Sequence, residues 1–454
     1  MITEISLDSF KSWRKIERMR LAPITGLFGT NSSGKTSILQ WLLMLKQTVD
    51  SSDRTQALDL GDSRSLVELG SFGDVVHGHE LPGRIGWELR WLLGHTRQIV
   101  DLEEGPDAVV IEDDKIAYRC TVSGAETGEV RVERMAYDFG GSTFGYNRDP
   151  GRGDYSLWAQ GPAAPGLKRT ERHRWDLPAP VKCYGFPYQV KIYFQKAGFL
   201  SDLSLQVEEL FGRLFYLGPL RAVPARHYTW AGGKPDDVGP HGERVVDALL
   251  ASRHNGHQIR DRATGVERSV EESVAYWLQE LGLIHDFAVQ EIAGGSGLYR
   301  VRVRRTAESP EVLITDVGFG VSQLLPVLVL CYYVPDGSTI LLEQPEAHLH
   351  PRVQAALADL LIEVAKARNL QLIVESHSEH LLRRMQRRIA EESLSSSDVA
   401  LYFCRLEKGV SQLDLLEVDA FGNISNWPDD FFGDQFGEMA AMAEAISERR
   451  QEGA

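Results

Sequence analysis

The octapeptide Gly29-Thr30-Asn31-Ser32-Ser33-Gly34-Lys35-Thr36 decides how the rest of the chain is read. It fits the spacing GxxxxGK[ST], follows the apolar run ITGLF at 24–28, and precedes SILQWLLMLKQ at 37–47, whose apolar residues recur at helical spacing. Strand, glycine-rich turn and helix in that order build a cradle for phosphate. The N–H groups of the turn and of the first helical turn have no partner inside the helix, and the helix dipole favours an anion there. Asn31, Ser32, Ser33, Gly34, Lys35, Thr36 and Ser37 are therefore the candidate phosphate-binding residues. Lys35 supplies charge for the outer phosphates, and the Thr36 hydroxyl is a candidate magnesium ligand.

Three later segments share this logic. Asp316-Val317-Gly318-Phe319-Gly320-Val321-Ser322-Gln323 runs directly into the apolar LLPVLVLCYYV at 324–334, so Gly318, Gly320 and Ser322 form a second anion-binding helix start, or a plain helix cap. ILLEQPEAHLH at 340–350 is an apolar strand ending in acid, amide, proline and two histidines. LIVESHSEH at 372–380 is another strand running into a polar turn. Strand tips of a parallel sheet gather at one edge, where ligands bind, so Glu343, Gln344, Glu346 and His377 are expected to meet near the phosphates. His348 and His350 form an HxH, a weak candidate for a metal, since three or four ligands are needed. Arg221 and Arg226, in YLGPLRAVPARHY at 216–228, suit either a phosphate or partner contact or a structural ion pair.

A chain of 454 residues exceeds one hydrophobic core. The expected fold class is α/β: a head with a central β-sheet flanked by helices, at 1–80 and 298–395, interrupted by a β-rich and helical lobe at 81–297 and followed by a hairpin and helix at 396–454. The formal net charge of −15 argues against a basic coat for nucleic acid. Local basic runs remain at 11–20, 298–305 and 381–389, and Arg300, Arg302 and Arg304 share one face if that run is a strand. Cys120, Cys183, Cys331 and Cys404 are far apart, which predicts reduced, buried thiols rather than a disulfide framework. The N-terminus lacks a signal pattern and the longest apolar run is too short for a bilayer, so a cytoplasmic protein without a membrane partner is expected.

The segments ISLDSFKSW, LAPITGLFGTNSSGKTSIL, VGFGVSQLLPVL, ILLEQPEAHLHP and IVESHSEHLLRR, in this order, resemble the ABC-type ATPases of the RecF, SMC and OLD-like group, AAA family proteins also found in anti-phage defence systems. The resemblance covers roughly 1–80 and 298–390. It implies ATP and Mg2+ as cofactors, and a homodimer in which Gly318, Gly320 and Ser322 of one copy close on the γ-phosphate held by the other, with higher assembly open. Glu343 takes the position of the magnesium-holding acid, Gln344 that of the catalytic glutamate, and His377 that of the switch histidine. Two departures follow. No glutamine occurs in LVELGSFGDVVHG at 66–78, where the family's magnesium-side glutamine is expected. And Gln344 cannot take up a proton, although it can orient water, so slow hydrolysis is expected, with Glu346 or His377 as substitute base. About 75 residues follow His377, fewer than a further nuclease domain usually takes. The resemblance therefore points to a sensor or regulatory subunit of a Septu- or Gabija-like defence system with a separate effector or nuclease. A RecF-like DNA repair ATPase and a scaffold with structural ATP are the alternatives.

Overall fold

The chain opens with the hairpin β1 (Ile2–Phe10) and β2 (Trp13–Arg20), followed by β3 (Ile24–Gly29), α1 (Lys35–Asp50) and the short α2 (Phe72–Val75). Five antiparallel strands come next: β4 (Gly83–Val100), β5 (Val109–Gly124), β6 (Val130–Phe139), β7 (Ser142–Arg148) and β8 (Tyr155–Gln160). Helices α3 (Tyr188–Tyr193) and α4 (Leu200–Gly212) lead into β9 (Leu214–Leu217), then β10 (Tyr228–Thr229), α5 (Val245–His254), β11 (Gln258–Arg260) and β12 (Glu267–Ser269). Then come α6 (Val270–Glu280), β13 (Asp286–Glu291), β14 (Leu298–Arg304), β15 (Val312–Leu313) and α7 (Phe319–Tyr333). The last part is β16 (Thr339–Glu343), α8 (Pro351–Arg368), β17 (Gln371–Glu375), α9 (Glu379–Ala390), β18 (Val399–Glu407) and β19 (Val410–Leu415). This computed structural model describes residues 1–100, 109–162, 167–170, 175–260, 265–428, 431 and 441–442.

The central sheet has the order β19-β18-β3-β17-β16-β9. All its pairs are parallel except that of β18 with the edge strand β19. Parallel strands covered on both faces read as unbroken apolar runs, and β16 and β17 are buried at every residue. Alternation then sorts them between two cores. Ile340, Leu342, Leu372 and Val374 face a core built with α5–α9, whereas Leu341 and Ile373 face one built with α1, α4 and the large antiparallel sheet.

That second sheet has seven strands in the order β2-β1-β4-β5-β6-β7-β8. The expected break after residue 80 therefore runs through a sheet, because β1 pairs with β2 on one side and with β4 on the other. Likewise β9, placed by sequence in the inserted lobe, and β18, placed in the C-terminal part, are strands of the central sheet. Strand pairing joins segments whose composition differs, and composition is what drew those boundaries. The helix expected at 437–451 lies, apart from 441–442, outside the described residues. Among the described residues no helix is long and apolar enough to cross a membrane.

Gln371, 1% exposed, ties the two sheets together. Its Oε1 accepts from the Ile2 N–H at 2.9 Å and from Thr339 Oγ1 at 3.1 Å, and its Nε2 donates to the Ile2 carbonyl at 2.6 Å. Gln371→Leu leaves the Ile2 main-chain groups buried without partners, so the free energy of unfolding falls by about 2 kcal/mol, measured by urea denaturation. An unchanged midpoint would show that water or another side chain satisfies them.

Candidate functional site

The parallel strands deliver their polar tips to one edge. β3 ends in the phosphate loop, β16 in Glu343 and β17 in Glu375, and Glu343 and Glu375 are register partners across the β16–β17 pair. Two glycines let the loop close tightly. Gly29 has φ 132° and lies so near β18 that a Cβ there would stand 2.0 Å from the Cys404 carbonyl oxygen. Gly34 has φ 95°, and a Cβ would meet Ser411 Oγ at 2.5 Å and Trp13 Nε1 at 2.8 Å. The Trp13 indole N–H donates to the Gly34 carbonyl at 2.9 Å, so the β1–β2 turn and the β18–β19 hairpin brace the loop from behind.

Lys35 is buried, and its ammonium donates to the Gly29 and Thr30 carbonyls at 3.0 and 2.7 Å. Burial lowers its pKa, against the opposing pull of Glu375. Asn31 and Ser32 are exposed, and Ser33 is buried with a hydroxyl that finds no partner among the described residues. Thr36 Oγ1 donates to Glu375 Oε1 at 2.9 Å, while Glu375 Oε2 is buried and unpartnered. Ser37 completes the first turn, its N–H donating to the Gly34 carbonyl at 3.1 Å.

Glu346 Oε1 accepts the His377 main-chain N–H at 2.7 Å, and its Oε2 is also buried without a partner. Glu343 Oε1 accepts the Tyr216 hydroxyl at 2.9 Å, and Arg221 Nη2 donates to the Glu343 carbonyl at 3.2 Å. Burial raises the pKa of all three glutamates. For Glu343, burial and then the neighbouring Glu375 carboxylate push it up to about 7. Burial lowers Arg221 to about 10, which leaves it charged at neutral pH. His377, open to solvent on one side, is held below its ordinary value by partial burial and by Lys35. Gln344 is half-buried with φ 44°, held by its N–H donating to the Glu375 carbonyl at 2.8 Å, and its side chain makes no hydrogen bond among the described residues.

The expected meeting of strand tips is thus present for Lys35, Thr36, Glu343, Gln344, Glu346 and His377. Two neighbours, Glu375 and Tyr216, are additions to that expectation, and Arg221, a candidate for a phosphate, partner or ion-pair contact, donates to the Glu343 carbonyl. Glu375 was legible as a buried acid at a strand tip, but His377 two residues on drew the reading. Tyr216 and Arg221 arrive through β9, which only the pairing of β9 with β16 brings alongside. The segment 66–78 lies elsewhere, against the β1–β2 turn, where the Lys11 N–H donates to the Val75 carbonyl at 2.7 Å. The stretch beside Glu343 is instead 218–226.

The start of α7 is not brought to the phosphate loop. Ser322 Oγ donates to the Phe319 carbonyl at 2.9 Å, and no hydrogen bond or ion pair joins 316–323 to 29–37 among the described residues. Gly318 caps the helix and Phe319 is 72% exposed. His350 caps α8, its Nδ1 accepting the Arg352 N–H at 3.2 Å, and no group of three or more metal-ligating side chains forms among the described residues.

The basic runs are largely spent in ion pairs. Arg302 and Arg304 both reach Glu311, at 2.9 and 3.2 Å. Arg383 pairs with Glu379, Arg387 with Glu391, and Arg384 and Arg388 with Asp359. Arg18 pairs with Glu4 and Lys15 with Glu17. Arg226 pairs with Asp316 at 2.8 Å. All four cysteines are buried and unbridged.

Residues 260–382, which carry the start of α7 and the β16 and β17 tips, match the family described as "AAA ATPase domain". Residues 394–442 match a second family, described as "Protein of unknown function (DUF3696)". No curated protein matches the chain. Among solved structures, it is similar to an SMC head bound to the C-terminal winged-helix domain of ScpA, at 13% identity over 92% of this chain and 98% of that one, with a TM-score of 0.45. The SMC head domain from Thermotoga maritima gives 13% identity, 92% and 99% coverage and a TM-score of 0.39. An SMC head with an extended coiled coil, bound to a ScpA C-terminal domain derived from Pyrococcus furiosus, gives 10%, 98% and 99%, and 0.47.

The donors fit an ATPase. The Thr36 hydroxyl and the carboxylates of Glu343 and Glu375 are the hard oxygen ligands that magnesium takes, and the unpartnered Oε2 atoms of Glu346 and Glu375 lack a cation or donor. A carboxyl whose pKa is raised on folding favours the folded state below its unfolded value, and that contribution is lost as pH rises through the folded value. Glu343 therefore makes the nucleotide-free protein less stable between about pH 4.5 and about pH 7, and Glu343→Gln removes this slope. Melting temperatures of the two proteins across that range test this; parallel curves would contradict it.

Proposed function

We propose that this chain is an ATP-driven clamp: ATP with magnesium sits on the phosphate loop of one copy and is closed over by the start of α7 of a second copy, head to tail. The observation that carries this reading is that the phosphate loop and a second glycine-capped helix start share no hydrogen bond or ion pair among the described residues, the second leaving Gly318 and Phe319 open to solvent. One nucleotide rarely needs both from the same chain. In this reading Lys35 leaves the Gly29 and Thr30 carbonyls for the β- and γ-phosphates, and the loop N–H groups hold the rest. Thr36, Glu343 and Glu375 supply oxygen ligands to magnesium, which when bound neutralises phosphate charge. Gly318, Gly320 and Ser322 cap the γ-phosphate from the partner copy.

Hydrolysis is slow in this scheme. Gln344 orients water through its free amide but takes no proton. Glu346, whose raised pKa and unpartnered oxygen suit a base, receives it in place of a glutamate at 344, and His377 senses the γ-phosphate. The finer biological reading is a sensor or regulatory subunit of an anti-phage defence system that switches a separate effector or nuclease. The motif resemblance supports it, and an effector reading frame beside the gene is the expected finding. For the DNA-repair alternative, Arg302 and Arg304 of its best basic strand share the single carboxylate of Glu311, which offsets part of that strand's positive charge.

Light scattering is expected to show dimers with ATP and magnesium for the native chain and monomers for Lys35→Ala and Ser322→Arg. Dimers that form without ATP and survive both substitutions would sink the clamp. In steady-state assays Gln344→Glu raises turnover by about 10²–10⁴-fold, and Glu346→Gln lowers that of the native chain. Fast native turnover indifferent to Glu346→Gln would remove both the slowness and the substitute base.

A further inference from the structure

Arg221 stands on the segment that leaves the tip of β9, and its two terminal nitrogens differ. Nη2 donates to the Glu343 carbonyl at 3.2 Å, whereas Nη1 is buried and has no partner among the described residues. A buried guanidinium N–H without an acceptor is costly, and a purely structural arginine would be expected to use it. Arg221 makes no ion pair among the described residues, although Glu343 and Glu346 lie close enough to hold its charge. Glu346 is also within electrostatic reach of Lys35. Arg221 thus holds the Glu343 main chain, whose register partner Glu375 accepts the Thr36 hydroxyl of the phosphate loop.

The far end of the same segment touches α7. Arg226 pairs with Asp316 at 2.8 Å, just before that helix. Ala222, Val223 and Pro224 line a cavity of about 50 Å³ together with Ile314 and Ser322. Between these ends the segment is held by few main-chain bonds, Gly218 N–H to the Pro240 carbonyl at 2.8 Å and Ala222 N–H to the His241 carbonyl at 2.7 Å. Leu220 and Val223 are 76% and 81% exposed. A short strap thus runs from the carboxylate edge to the second anion cradle.

We propose that Arg221 reads the nucleotide, its free Nη1 donating to the terminal phosphate of ATP, and that the 218–226 strap passes this contact to Asp316 and Ser322 at the start of α7. This rests on the clamp reading above. ADP lacks the phosphate that Arg221 addresses, so the contact separates ATP from ADP, and the planar guanidinium suits a phosphate while still held by Glu343.

The test is calorimetric binding of ATP and of ADP, each with magnesium, to the full-length native, Arg221→Ala, Arg221→Lys and Arg226→Ala proteins, with light scattering alongside. Arg221→Ala is expected to weaken ATP binding about 10- to 100-fold while ADP binding moves by less than about twofold, as for loss of one charge-assisted hydrogen bond. Arg221→Lys recovers part of the ATP preference, and it carries the comparison if the alanine variant does not fold. Arg226→Ala keeps the ATP preference and loses ATP-driven dimerisation. Equal losses for ATP and ADP, or none, overturn the reading role of Arg221. Dimerisation of Arg226→Ala at native ATP concentrations overturns the strap. A native chain that binds no ATP, like Lys35→Ala, overturns the clamp itself and this inference with it.

Discussion

Three glutamates buried at one sheet edge are the constraint on which the rest of this structure depends. Glu343 and Glu375 stand side by side at the tips of neighbouring parallel strands, and Glu346 lies one turn beyond. Like charges in a poorly solvated place resist ionisation, and the rise in Glu343 to about 7 expresses that cost. The fold offsets it with three donors to the carboxylates, Thr36 from the phosphate loop, Tyr216 from β9 and the His377 N–H from beyond the β17 tip, while Arg221 holds the Glu343 main-chain carbonyl. Two of their carboxylate oxygens still go without a partner among the described residues.

The surrounding architecture keeps this edge rigid. The central sheet is packed on both faces, and Gln371 binds the first residues of the chain to it, so the antiparallel lobe is continuous with the phosphate-loop side of the molecule. The loop is braced by Trp13 and by β18, whose closeness leaves room only for glycine at position 29. Against this rigid frame, the start of α7 and the 218–226 strap expose Phe319, Leu220 and Val223 to solvent.

Much of the site was readable because its signals are local. A phosphate loop is eight consecutive residues whose function lies in the backbone they impose, and a buried parallel strand is an unbroken apolar run that stops where polar chemistry begins. Gln344, Glu346 and His377 follow the tips of β16 and β17 as that pattern implies. Glu375 was missed through competition from a more conspicuous histidine. Arg300, Arg302 and Arg304 lie on a strand as expected, but Glu311, which pairs with Arg302 and Arg304, comes from a segment that only folding brings back onto it.

The domain boundaries show the same limit. Changes in composition marked where the chain alters character, at about residues 80, 297 and 395, yet β1, β9 and β18 each pair across those marks. Hydrogen bonding between strands depends on edge availability and register, which are properties of the assembled sheet. What this protein's sequence determined by itself was the phosphate loop, the α/β alternation and the identity of the strand-tip residues, because each is set by neighbours within a few positions. Only the tertiary structure decided that Tyr216 and Arg221 join Glu343, that Glu375 rather than Glu343 meets Thr36, and that the start of α7 makes no hydrogen bond to the phosphate loop among the described residues. Those outcomes depend on which strands lie side by side, and contact between residues more than a hundred positions apart carries no signature in the local sequence.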